Sequence, residues 1–121
     1  MKFISTKTHG ILDYTIGLLL ILLPFLMQFE ISNPESTVLF VLGAIMLMMA
    51  LLTQYELGLI RLVPMPLHLT GDIIAGGLLT FSPWLFNFYE RVYVPHLIIG
   101  ILEIIAALMT YTIAGPTQRS I

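Results

Sequence analysis

The chain is 121 residues long, 58% hydrophobic and only 10% charged, with a formal net charge of -2 at pH 7. That composition excludes an ordinary soluble domain and makes the bilayer the expected solvent. Five scattered cations and no cysteine further exclude a nucleic-acid partner, disulfides, and any thiolate nucleophile or thiolate metal site.

The apolar residues fall in four blocks, roughly 10–29, 37–54, 69–88 and 94–114. Each is close to the ~20 residues that cross a ~30 Å hydrocarbon core as a helix. A lipid-facing barrel needs alternating apolar and polar positions, and runs such as Gly17 to Leu23 and Val38 to Leu52 do not alternate. The expected fold class is therefore all-α, a four-helix transmembrane bundle in a single integral membrane domain covering 1–121. Lys2 and Lys7 ahead of an apolar run resemble a signal peptide, but no small-x-small cleavage site follows, so the first block is expected to stay as a helix.

Thr6 or Thr8 is expected to cap the first helix. His9 and Asp13 then stand one turn apart, Gly10 and Gly17 thin one side for close helix contact, and Pro24 is expected to bend the outer half. Glu30 to Ser36, with Asn33-Pro34 and two carboxylates but no cation, reads as a short exposed turn, and Ser36 as the cap of the second helix. That helix, Thr37 to Thr53, has Gly43 and Ala50 on one face and Met46, Met48 and Met49 as flexible packing. Gln54 to Pro66 reads as a hinge along the membrane surface, with Pro66 in the first turn of the third helix. Tyr89 to Tyr93 forms the second outer turn. The fourth helix is expected from Val94 to Ala114, stopped by Gly115-Pro116.

The third helix repeats the plan of the first. At an offset of 59, His68 falls on His9, Asp72 on Asp13, Gly76 on Gly17, Leu79 on Leu20, Pro83 on Pro24 and Phe88 on Phe29. At an offset of 57, Gly100 falls on Gly43, Ala107 on Ala50 and Thr110 on Thr53. The chain reads as one two-helix unit written twice, with repeat one at about 7–55, a surface hinge at about 55–66 and repeat two at about 66–114. An even number of crossings per repeat makes the copies parallel. Two differences stand out: Gly76-Gly77 thins the third helix further, and Ser82-Pro83-Trp84 replaces Leu23-Pro24-Phe25.

Six residues are candidates for chemistry. His and Asp at i, i+4 share a helix face, so His9 with Asp13 and His68 with Asp72 are each expected to pair locally. Parallel repeats bring both pairs to one depth, as polar anchors of helix ends, as the mouth of a proton or cation path, or as two imidazoles for a haem or metal. Glu103 falls in the middle of the fourth helix, where a carboxylate is costly unless neutral, paired or wetted. It has no copy, Met46 standing in its place, and His96, matched by Leu39, lies seven residues earlier on the same face. Glu103 is read either as a neutral acid bonded to a backbone carbonyl or to Ser82, or as a step in a polar ladder from His96 to the His68 and Asp72 level. Around Pro83, Ser82 is expected to bond back to the preceding turn and Trp84 to sit at the interface.

Ser82-Pro83-Trp84 inside a duplicated four-helix chain resembles the SPW-repeat family of small bacterial integral membrane proteins. The resemblance runs from Lys7-Thr8-His9-Gly10 to Thr110, and repeat one keeps only the proline of the motif. It implies two transmembrane helices per repeat and a location in the bacterial inner membrane, and no established activity. The favoured reading is a non-enzymatic structural or interaction subunit, in contact with lipid and in a homo-oligomer or with a membrane-protein partner. A proton or small-solute pathway through Glu103 and the His-Asp pairs is the second reading, and a haem- or metal-binding redox protein the third; no resident cofactor is expected. Lys2, Lys7, Arg61 and Arg119 on one side against Arg91 on the other predict both termini in the cytoplasm.

Overall fold

The computed structural model describes residues 2–113. They form four helices: α1 (Thr6–Leu26), α2 (Pro34–Leu52), α3 (Met65–Leu85) and α4 (Val94–Met109). The class is all-α as expected, and the only strand-like pairings among the described residues are two isolated bridges. By length and composition α1 and α2 are apolar enough to cross a membrane; α4 is equally apolar but shorter.

Helices pack most closely within each half, α1 on α2 and α3 on α4. Each pairing is set by facing glycines. A Cβ on Gly43 would stand 2.9 Å from the Gly17 carbonyl oxygen, and one on Gly100 would stand 2.6 Å from that of Gly76. Backbones therefore meet at matched positions in both halves, the usual basis of helix contact in lipid. Gly77, expected to widen this thin face, instead points into open space. Leu20, Leu39, Met46 and Leu79 form the apolar core at mid-depth.

The helix ends depart from expectation. Ser5, not Thr6 or Thr8, caps α1, its Oγ accepting from the Thr8 N–H at 3.1 Å. Thr6 is already helical and donates to Glu56 Oε1 at 2.6 Å. α2 begins at Pro34, whose missing N–H costs nothing in a first turn, so Ser36 lies inside the helix and donates to the Glu30 carbonyl at 2.8 Å. The Glu30 to Ser36 stretch is correspondingly less exposed than its composition suggests, and Glu35 is buried. α4 stops at Met109 rather than Ala114; Ala114 and Gly115-Pro116 lie outside the described residues.

What stops α4 is the chain's own lead-in. The N–H groups of Phe3 and Ile4 donate to the Met109 carbonyl, and that of Tyr111 donates to Ile4, forming a parallel bridge between Ile4 and Thr110. At the matched place, Thr53 bridges Val63, and the Leu62 and Val63 N–H groups donate to the last carbonyl of α2. In both cases the lead-in of one half closes the final helix of the other. Between them the hinge keeps Leu59, Ile60 and Leu62 exposed.

Pro24 and Pro83 terminate their helices. Each sits in the last turn, followed by a left-handed residue, Gln28 (φ 56°) or Asn87 (φ 57°). The next N–H, from Phe29 or Phe88, folds back to the proline carbonyl at 2.8 Å, the bond that closes a Schellman cap. Pro83 has no N–H for Leu79, and Ser82 supplies the missing donor, its Oγ reaching the Leu79 carbonyl at 2.7 Å. Trp84 lies half-exposed and stacks on Tyr89, ring centroids 6.4 Å apart.

Candidate functional site

α1 and α3 bring His9, Asp13, His68 and Asp72 together at one end of the bundle, all buried. The two imidazoles meet edge-on, centroids 5.6 Å apart, so the halves run parallel. The expected local pairs are present but are the longer contacts: His9 Nε2 to Asp13 Oδ1 is 3.2 Å, and His68 Nε2 to Asp72 Oδ2 is 3.1 Å. The shorter ones cross between halves, His9 Nε2 to Asp72 Oδ2 at 2.8 Å and His68 Nε2 to Asp13 Oδ2 at 2.7 Å. Residues one turn apart on a helix share a face, but only the carboxylates from the other half make hydrogen bonds to the rings.

The other ring nitrogens fix where the hydrogens are. Thr53 Oγ1 donates to the Met49 carbonyl at 2.5 Å, and Thr110 Oγ1 donates to the Ala106 carbonyl at 2.6 Å. A hydroxyl has one hydrogen, so each threonine oxygen is left as an acceptor. His68 Nδ1 therefore donates to Thr53 at 2.6 Å, and His9 Nδ1 donates to Thr110 at 2.8 Å. Each Nε2 faces carboxylate oxygens alone and donates as well. Two imidazolium rings and two carboxylates thus form a quartet of zero net charge, which answers the cost of burying ions away from water.

Thr53 and Thr110 belong to the site by their bonds to the two histidines, and reading the sequence for reactive groups passed over them. The signal was available, since they match each other between the repeats, but hydroxyls at helix ends have so many structural uses that spacing alone assigns none. Tyr55 closes the site from the hinge, fully buried against Met65, Leu69 and Ala107; burial pushes its phenol well above the ordinary tyrosine value.

Glu103 and His96 stand apart from this quartet. Glu103 is buried at mid-helix, within electrostatic reach of all four members, and its Oε2 has no hydrogen-bond partner. A bond to Ser82 is not formed, because the Ser82 hydroxyl is spent on Leu79. Further out, His96 Nε2 donates to the Glu35 carbonyl at 3.0 Å between the rings of Phe29 and Phe88, and its Nδ1 is unpartnered. His96, Glu103 and Thr110 follow one another at intervals of seven along α4, about 10 Å each by helix rise.

An ion pair closes the end opposite the quartet. Arg91 grips the buried Glu35 carboxylate with two bonds, Nε to Oε1 at 3.0 Å and Nη2 to Oε2 at 2.8 Å. Sequence proximity suggests Glu90 as the companion of Arg91; the fold selects Glu35 on the facing helix, where a planar guanidinium meets a carboxylate bidentately.

Comparison with curated proteins and with solved structures finds no match to either. The family model of the SPW repeat domain matches residues 7–110, which takes in the quartet, both threonines, Glu103 and the Ser82-Pro83-Trp84 motif. This chain belongs to the SPW repeat family and is a small membrane protein in contact with lipid.

Proposed function

We propose that the chain is a membrane-embedded structural or interaction subunit, two copies of a duplicated helix pair locked into one arrangement. The observation that carries this reading is the exchange of partners in the quartet: each histidine is bonded to the aspartate and the threonine of the other half. Groups so committed hold two elements together. Large apolar side chains such as Ile11, Phe25, Ile74 and Phe81 face outward, suiting lipid or a neighbouring subunit. The same reading puts the protein in the bacterial inner membrane with both termini cytoplasmic, since Lys2, Lys7 and Arg61 lie at the quartet end and Arg91 at the other. Arg119, also counted toward this orientation, lies outside the described residues. Extraction into polymer-bounded native lipid discs tests the subunit reading. A particle holding more than one 13.6 kDa chain, or this chain with another membrane protein in fixed ratio, is expected; a lone chain throughout refutes it.

A second reading is favoured by one observation, the unpartnered Glu103 carboxylate between His96 and the quartet. A buried acid in that position suits proton movement along α4. In liposomes loaded with a pH-sensitive dye, flux that Glu103→Gln abolishes supports it, and absence of flux in the unaltered protein removes it.

A further inference from the structure

The quartet has a feature that a lock does not require. One ligand-capable atom from each of His9, Asp13, His68 and Asp72 lies within 4.8 Å of the other three. Both histidines turn Nε2 to this focus and anchor Nδ1–H on a threonine oxygen that is itself fixed by a backbone carbonyl. That is the arrangement by which proteins orient imidazole toward a metal, an outer acceptor holding one nitrogen so that the other presents its lone pair. We infer that the quartet is a site for one divalent first-row metal ion, bound by two imidazole nitrogens and two carboxylate oxygens. The proposal concerns the same residues as the lock but does not depend on it, since the hydrogen-bonded quartet holds the halves together without an ion.

Charge and ligand type define the ion. In the hydrogen-bonded state two imidazolium rings balance two carboxylates. A divalent ion entering the focus displaces the hydrogen from each Nε2, leaving two neutral imidazoles, two carboxylates and a charge of plus two. Both states sum to zero, so one ion enters as two protons leave and no net charge is added to a low-dielectric site. Two nitrogens and two oxygens without thiolate suit zinc and its neighbours, at about 2.0–2.2 Å per bond. Magnesium and calcium, which take six or more oxygen ligands, are poorly served. The carboxylates fill the space between the rings, which suits a bare ion rather than a porphyrin. Thr53 and Thr110 are positioning residues, one step removed from the metal.

The test uses the full chain in detergent, freed of metal by a chelator and titrated with Co²⁺ and with Zn²⁺. Intense visible bands of four-coordinate Co²⁺ are expected, saturating at one ion per chain and bleached by Zn²⁺, with two protons released per Zn²⁺ in weak buffer. Asp72→Asn should abolish the bands. Thr53→Val, which leaves all four ligands in place, should weaken Zn²⁺ binding about 10- to 100-fold while keeping the band positions, and so covers the case in which Asp72→Asn fails to fold. Folded protein that gives no four-coordinate spectrum overturns the site, as does binding that survives Asp72→Asn or Thr53→Val unchanged. The lock itself is judged separately, by whether the chelated protein stays folded.

Discussion

The two halves of the bundle are alike at one end and unlike beyond it. At the quartet end, His9, Asp13 and Thr53 have counterparts in His68, Asp72 and Thr110, and all six make the same bonds across the boundary between halves. Away from that end, Leu39 and Met46 of α2 belong to the apolar core, whereas the matched positions on α4 carry His96 and Glu103. Among the described residues, His96 Nδ1 and Glu103 Oε2 are buried without a hydrogen-bond partner, and both belong to this unlike pair. Polar residues present in both halves are thus satisfied by one another, whereas His96 Nδ1 and Glu103 Oε2, at positions where the other half is apolar, find no complement. The first set is explained by stability; the second is not, because an apolar side chain at the same depth is what the other half uses.

The strongest test of the likeness is His68→Ala against His9→Ala. Each leaves a buried carboxylate without its cation, and each is expected to cost about 3–5 kcal/mol, measured by unfolding in mixed micelles. Equal losses sharpen the comparison, and a severe loss in one alone breaks it. Thr53→Val and Thr110→Val are expected to cost less, about 1–3 kcal/mol each, since each strands one ring N–H while the ion pairs stay in place. The smallest change should have the opposite sign. Glu103→Met, which copies the first half, removes an unpartnered buried carboxylate and is expected to stabilise the bundle by about 1 kcal/mol, read as a higher melting temperature. A loss as large as that of a quartet variant would mean that Glu103 has a structural partner and that the unlike region also holds the fold.

Much of this architecture was legible in the sequence. Four apolar blocks gave four helices, and the matched spacing gave parallel halves because periodicity reports which residues share a face. It does not report which helix lies opposite. His9 and Asp13 were therefore read as partners of each other, and they do meet, but the nearer carboxylate belongs to α3. Helix ends were misread for a related reason. Ser36 is a plausible cap by composition, but proline tolerates a first turn and moves the start of α2 back to Pro34. Apolar residues persist beyond Met109, so hydropathy continues where the backbone of α4 has already turned to meet Ile4.

The mutual closure of the lead-ins bears on connectivity. Ile4 seals α4 as Val63 seals α2, so the four helices follow one another in a ring and the hinge is only one of its two seams. Neither half is first in the folded molecule. A circular permutant that joins Tyr111 to Phe3 through a short linker and opens the chain near the exposed Leu59 would keep every contact of the quartet, and two separately made halves would face the same partners they meet within one polypeptide.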